Sequence, residues 1–132
     1  MSDKIFSVVE AIIKDNDGRI LLLQRSKNNT LFVDKWQLPG GKVEFGENVH
    51  KAIQREVLEE TSCHLKKAKI DRVFSFEDAF NEFKGTTFLM VFSASINGKI
   101  KLSSDHVALA YVHPKDIKKS DLTPISLKSI FG

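Results

Sequence analysis

Apolar residues fall into short runs separated by turn residues, and the runs change period along the chain. Residues 6–14 (FSVVEAIIK) are rich in β-branched side chains and predict a strand. Asp15-Asn16-Asp17-Gly18 is a strong turn signal. Residues 19–24 (RILLLQ) then predict a second strand, completing a hairpin, and its nearly continuous apolar run implies burial on both faces. Residues 26–35 are polar apart from Leu31-Phe32-Val33 and predict a loop that can border a pocket. A short strand at 36–38 runs into Pro39. From about Asn48 to Thr61 there is no Gly or Pro, and Val49, Ile53 and Val57 fall on one stripe at helical period. Asn48 is the expected N-cap. Strands are expected at 65–76, 86–96 and 108–113, with a loop at 77–85. Asn97-Gly98 suggests a turn, with 99–102 pairing back. Residues 114–118 start a one-turn helix. Thr123-Pro124 caps a final helix with Ile125, Leu127, Ile130 and Phe131 facing inward. This order predicts an α/β fold with a mixed sheet between helices, in one domain covering residues 1–132.

The central helix carries an unusual charge pattern. Glu56 and Glu60 lie ~40° apart on the wheel, and Glu59 lies ~60° to the other side of Glu56. The acids therefore border the apolar stripe instead of opposing it, as a solvated face would. Like charges three and four apart repel by a few tenths of a kcal/mol per pair. Acids near a helix C-terminus also oppose the macrodipole, by roughly 0.3–1 kcal/mol each. Arg55 can relieve one acid but not three. A hard cation with oxygen ligands would relieve all of them, and Mg²⁺ suits carboxylates combined with substrate phosphate oxygens. The alternative for the helix alone is a solvated acidic end. Pro39-Gly40-Gly41 precedes it, a turn whose backbone can come close to the helix and offer carbonyls or amides.

Gly41, Glu47, Arg55, Glu56, Glu59 and Glu60 fit the spacing G-x5-E-x7-R-E-U-x-E-E-x-G-U, where U is a bulky apolar residue and Val57 fills the first U. With the preceding WQLPGGKVE, this stretch resembles the box of the Nudix hydrolases, whose type member is MutT. Ser62 and Cys63 depart from the final G-U, and a shifted helix end is expected where serine replaces the C-cap glycine. The resemblance implies an α/β/α sandwich over most of the chain. It implies metal ligation by Glu56, Glu59 and Glu60, a backbone carbonyl from Gly40, and Glu56 as a candidate base. Glu47 and Arg55 would hold the loop to the helix. Arg25 stands where such proteins often meet substrate phosphate, though it could equally make a surface ion pair. Gly41 and Lys42 could contact phosphate, Lys42 being equally readable as a plain surface lysine. For an extra acid outside the box, Asp105 is the candidate, with Glu77, Asp78 and Glu82 as rivals and a surface turn as the plain alternative.

The chemistry implied is hydrolysis of a diphosphate linkage. Metal ions neutralise the phosphate oxygens, and a nearby carboxylate accepts the proton of the attacking water. Mg²⁺ is the expected cofactor, with Mn²⁺ as the alternative. The box says little about what the diphosphate carries. At the positions where ADP-ribose and dinucleoside polyphosphate hydrolases often carry a proline or a tyrosine stand Glu77, Asp78 and Phe80. A MutT-like nucleoside triphosphate pyrophosphohydrolase is therefore expected, with oxidised purines such as 8-oxo-dGTP among the substrates. The alternatives are an ADP-ribose or nucleotide-sugar pyrophosphatase and, in another class, a nucleotide-binding sensor without turnover. The intact Glu56, Glu59 and Glu60 favour an enzyme.

Composition narrows the rest. The formal charge of +3 is mild, and the lysines near 66–67, 99–101 and 115–119 read as solvated faces, so stable nucleic-acid binding is not expected. A single cysteine, Cys63, excludes an internal disulfide and suits a reducing, cytoplasmic setting. No signal peptide or membrane span is expected. The resemblance allows a monomer or a homodimer. Trp36 could stack on a base but fits core packing better. His106 could face base or phosphate or be an ordinary loop residue. His50, His64 and His113 have no metal-ligand spacing.

Overall fold

The computed structural model describes residues 4–77 and 85–132. Strand β1 (Ile5–Ile13) alternates two apolar faces, and this alternation organises the layers. Val9, Ala11 and Ile13 point to one side, joining Leu21, Leu23 and Phe92 against Ala52, Ile53 and Val57 of helix α1 (Val49–Thr61). Val8 points to the other side, joining Leu89 and Val91 with Ile125 of helix α2 (Pro124–Phe131) packed against them. Strand β2 (Ile20–Arg25) divides in the same way. Leu21 and Leu23 enter the α1 side, while Ile20 and Leu22 meet Leu38, Leu122, Leu127 and Ile130. The apolar run is thus buried on both faces, as its sequence predicts. Each fully buried aliphatic side chain contributes roughly 1.5–3 kcal/mol.

The strands form two sheets. Strand β4 (Gly40–Lys42), β1, β6 (Thr86–Ile96) and β5 (Leu65–Glu77) make a mixed sheet in the order β4-β1-β6-β5, with β1 and β6 parallel. Strand β3 (Trp36–Gln37), β2 and β7 (His106–Val112) make an antiparallel sheet. The helices flank the sheets as an α/β/α sandwich, α1 against β1, β4 and β5 and α2 against β1 and β6.

Several sequence expectations are corrected. The turn at 15–18 forms, with Asp15 Oδ1 accepting from the Asp17 and Arg19 amides at 2.9 Å each. The hairpin does not continue beyond the Lys14–Ile20 bridge. Both edges of β1 are taken by β4 and β6, so β2 pairs elsewhere. Residues 99–102 do not form a returning strand, because β6 already pairs with β1 and β5. They cross the C-terminal end of α1 instead, where Lys101 N–H donates to Thr61 O at 2.8 Å and satisfies a terminal carbonyl. The helix end does not shift either. Ser62 accepts the left-handed cap at φ 64°, and its Oγ donates to Lys101 O at 3.1 Å. The strain is about 1–2 kcal/mol. The one-turn helix after β7 is a 3-10 turn at Pro114–Asp116. Phe131 is 37% exposed, with the Lys119 ammonium 4.7 Å from its ring, so it does not face inward. The predicted loop beyond Glu77, with Asp78, Phe80, Glu82 and Phe83, lies outside the described residues.

What α2 buries besides its aliphatics is Ser126 and Ser129. Their hydroxyls reach the buried Glu10 of β1, Ser126 Oγ to Oε2 at 2.9 Å and Ser129 Oγ to Oε1 at 2.7 Å. Ser126 Oγ also accepts from Leu38 N–H at 2.9 Å. A lone acid in an apolar strand is the sequence signal for such a cluster. Ser126→Ala should destabilise the fold by about 2–3 kcal/mol, since a buried amide and a buried carboxyl each lose a partner. Urea denaturation reads this directly, and an unchanged midpoint would contradict it.

Candidate active site

The site is assembled where the turn at Pro39 meets α1. Gly40 lies across from Glu10 on β1, and Gly41 across from Val9. At Gly40 a Cβ would stand 2.1 Å from Val9 O, and at Gly41 one would stand 2.7 Å from the Glu56 carboxyl carbon. The two glycines thus let the backbone run close enough to touch the helix acids. Gly40 N–H donates to Glu60 Oε1 at 2.9 Å, so Gly40 contributes its amide here. Asn48 caps α1 as expected, its Oδ1 accepting from His50 N–H at 2.8 Å.

Arg55 organises the charges. Its Nε and Nη2 donate to both oxygens of Glu47, at 2.8 and 3.0 Å. Its Nη1 donates to Glu56 Oε1 at 2.9 Å and reaches Glu59 Oε1 at 3.4 Å, and Nη2 also donates to Lys42 O at 3.1 Å. The Glu47–Arg55 pair therefore ties the loop to the helix. Side-chain hydrogen bonds from the Arg55 guanidinium hold the Glu47 carboxyl down to about 2. Glu47 holds Arg55 in its charged form in return. Because the folded pKa of Glu47 is depressed, its contribution to stability is present above the ordinary glutamate range and is lost as pH falls toward about 2. Urea midpoints of the wild type and Glu47→Gln should differ at neutral pH and converge in strong acid. A gap that stays constant with pH would contradict this.

The other acids behave differently. Burial raises Glu56, with Arg55 opposing and Glu59 reinforcing the rise. Glu60 is buried, and burial pushes its carboxyl well up, against the pull of Gly40 N–H. The negative charges of Glu56, Glu10 and Asp105 push it the same way. Asp105 is exposed at the start of β7, and its charge is felt at both Glu60 and His106. The structure thus brings Asp105 toward the box. Glu77 ends β5 level with Thr86 and Ile5, away from Gly40. The Lys42 ammonium lies 5.0 Å from the Phe6 ring. Trp36 packs with Leu38 and Leu122, and Cys63 is buried as a small packed residue.

Three side chains matter more than their sequence indicated. His106 is the buried first residue of β7, 4.0 Å from Glu60 Oε2 through Nε2, and burial pushes its imidazole down to about 4. Gln37 bridges it to Arg25, whose Nε donates to Leu31 O at 3.0 Å. Glu10 is the lone acid of its strand and His106 stands beside Asp105 in the sequence, whereas Gln37 carries no such signal. The Gln37 and His106 contacts join residues far apart in the chain.

Among the described residues, no three His, Cys, Asp or Glu side chains form a converged metal cluster. Arg55 draws Glu56 and Glu59 to itself, and Gly40 engages Glu60. The donor set still fits a divalent cation. It is all carboxylate oxygen, and the buried Glu60 and half-buried Glu56 are both raised partly by neighbouring negative charge, which a cation would relieve.

Comparison with known proteins places this geometry. The NUDIX domain family model matches residues 5–130. The chain is 28% identical over 123 residues to the nucleoside triphosphatase NudI of Escherichia coli O139:H28, covering 87% of each. It is similar in structure to a MutT NUDIX hydrolase from Burkholderia pseudomallei, with a TM-score of 0.81, 29% identity and 96% of each chain covered. A MutT protein from Methanosarcina mazei Go1 superposes with a TM-score of 0.79 at 26% identity, covering 98% of this chain and 93% of that one. A family match spanning nearly the whole sequence means that the chain belongs to the Nudix family and is a hydrolase of phosphoric anhydride bonds.

Proposed function

We propose that this protein is a Mg²⁺-dependent nucleoside triphosphate pyrophosphohydrolase, releasing a nucleoside monophosphate and pyrophosphate. The observation that carries the reading is the arrangement of Glu56, Glu59 and Glu60 on one helix, with Gly40 N–H on Glu60 and Arg55 gathering the other two. The relatives named as a nucleoside triphosphatase and as MutT proteins support the choice of substrate class. Oxidised purine triphosphates such as 8-oxo-dGTP are included in that class.

Glu56, Glu59 and Glu60 would hold the cation, with Mn²⁺ as an acceptable substitute. When bound, the ion neutralises phosphate oxygens and polarises the scissile linkage. In the reaction a bond forms from water oxygen to phosphorus, the anhydride P–O bond breaks, and pyrophosphate leaves. Glu56 is the candidate acceptor of the water proton, since burial has already raised its affinity for one. Arg25 spends Nε on Leu31 O and Nη1 on Gln37 Oε1. Among the described residues its Nη2 has no hydrogen-bond partner, which suits a phosphate oxygen. Asp105 stands close enough for its charge to act on Glu60 and is the candidate acid from outside the box. Gly41 and Lys42 are the candidate phosphate contacts from the turn.

A product assay with Mg²⁺ tests the reading, offering unmodified and oxidised dNTPs beside ADP-ribose. Monophosphate and pyrophosphate from a triphosphate are expected. AMP and ribose 5-phosphate from ADP-ribose alone would keep the box chemistry and overturn the substrate. No turnover with either Mg²⁺ or Mn²⁺ would favour a nucleotide-binding sensor.

A further inference from the structure

Two loops meet beside the box, and side chains make most of the contact between them. The pairing of β2 with β7 is broken by a bulge. Gln24 lies across from Ala108 and Arg25 across from His106, so Val107 is the extra residue. Bulges of this kind re-aim the residues at a strand end. Beyond the bulge the ladder takes one more step, Ser26 N–H donating to Asp105 O at 2.9 Å. Three side chains from 26–29 then close on the same two peptides. Ser26 Oγ donates to Ser104 O at 2.7 Å, and Asn28 Nδ2 donates to that oxygen at 3.0 Å. Asn29 Nδ2 donates to Asp105 O at 2.9 Å and to Ser26 O at 3.1 Å. Both partners of this nitrogen are carbonyls, which fixes the orientation of the amide and uses both of its hydrogens. From the other side, Ser103 N–H donates to Glu60 O at 3.4 Å. Residues 103–105 are thus held between the 26–29 loop and the end of the box helix. Ser104 and Asp105 are both exposed, and water can satisfy the carbonyls of an exposed turn. Four protein hydrogen bonds on two such carbonyls therefore serve position more than solvation. What they position is a carboxylate whose charge is felt at Glu60.

We propose that Asn29 is a positioning residue that, together with Ser26, locks the 103–105 turn and so holds the Asp105 carboxylate at the cation site. This rests on the reading of Asp105 as the acid from outside the box, and deepens it by naming what keeps that acid in place. Asn29 bonds to the backbone of Asp105, so it acts through Asp105 and not on the cation. The role needs a double donor. Aspartate at 29 would keep the shape and could not donate, and alanine would remove both bonds.

The test reads the turn without metal and the cation without substrate. Amide hydrogen exchange follows the Ser26 N–H, which bonds Asp105 O, in metal-free protein. Mn²⁺ titration followed by electron paramagnetic resonance gives the affinity for the ion, with folding checked by urea midpoint. Asn29→Ala should speed exchange at Ser26 by about tenfold and leave core amides unchanged. Asp105→Asn should weaken Mn²⁺ binding by about tenfold, and Asn29→Ala should weaken it by a comparable factor. The two together should be no worse than Asp105→Asn alone, because one acts through the other. A clasp that only stabilised the fold would weaken Mn²⁺ binding equally with or without the Asp105 carboxylate, so effects that multiply would overturn the proposal. Asn29→Asp should also weaken binding, although its added negative charge alone would tighten it. Should Asn29→Ala fail to fold, Asn29→Asp decides alone, and Mn²⁺ binding that is unchanged or tighter counts against the proposal. Unchanged exchange at Ser26 in Asn29→Ala would likewise overturn it. Weakened binding in Asp105→Asn beside wild-type binding in Asn29→Ala would spare Asp105 and sink only the role of Asn29. Wild-type Mn²⁺ binding in Asp105→Asn would remove Asp105 from the site, and the proposal with it.

Discussion

Glu59→Gln should lower kcat for triphosphate hydrolysis by about 10²–10³-fold and weaken its dependence on Mg²⁺, while leaving the fold intact. That loss corresponds to roughly 3–4 kcal/mol of transition-state stabilisation. It is the scale expected when one charged ligand leaves an all-oxygen cation site. Glu59 makes the cleanest test of the three acids. Its side chain is 57% exposed, and its ion pair to Arg55 is long at 3.4 Å. Such a surface pair contributes about 0–1 kcal/mol to stability. Removing the charge also relieves repulsion with Glu56, since the charge of Glu59 pushes the Glu56 carboxyl up. The urea midpoint should therefore move little while turnover collapses. Near-wild-type kcat in a folded Glu59→Gln protein would remove Glu59 from the metal site.

Gly40→Ala should act in the opposite way, through the fold. A Cβ there would meet Val9 O at 2.1 Å and Glu10 Cα at 2.8 Å, and both are backbone atoms. Backbone cannot swing aside as a side-chain tip can. The backbone at Gly40, with φ 156°, is also one that side-chain-bearing residues rarely adopt. β4 must move off β1, and the Gly40 N–H then leaves Glu60 Oε1. A cost of about 3–5 kcal/mol is expected, at the high end for a single substitution. Activity should fall with it. Gly41→Ala provides the contrast. Its Cβ would meet the Glu56 carboxylate, the mobile end of a side chain. That protein should stay folded and lose turnover, because Glu56 is displaced from the turn. Equal urea midpoints for Gly40→Ala and wild type would show that β4 is not held against β1 as described.

The parts legible in the sequence are those built from near neighbours. The helix at Asn48–Thr61 and its cap follow from pattern within a few turns of chain, and the Glu47–Arg55 pair from the resemblance of the box. What sequence could not give was which strand pairs with which. The turn at 15–18 was read correctly, yet β1 and β2 part because β4 and β6 occupy both edges of β1. Residues 99–102 look like the return arm of a hairpin, but the carbonyls at the end of α1 claim them. Ser62 shows a different limit. Propensity favours glycine in a left-handed cap, yet the surrounding contacts hold serine there without moving the helix end. The Glu10–Ser126–Ser129 and Arg25–Gln37–His106 contacts join residues between 12 and 119 positions apart. Periodicity carries no information at such separations.

The measurement that tests the account most directly is a Mn²⁺ titration followed by electron paramagnetic resonance. It would compare the wild type with a protein in which Glu56, Glu59 and Glu60 are all changed to Gln. The account predicts that wild-type protein removes the free Mn²⁺ signal saturably and that Mg²⁺ restores it by competition. The triple variant should stay folded and leave the free signal in place. Equal Mn²⁺ binding by the two proteins would contradict a cation centre on this helix, and with it the assignment of the box acids to catalysis.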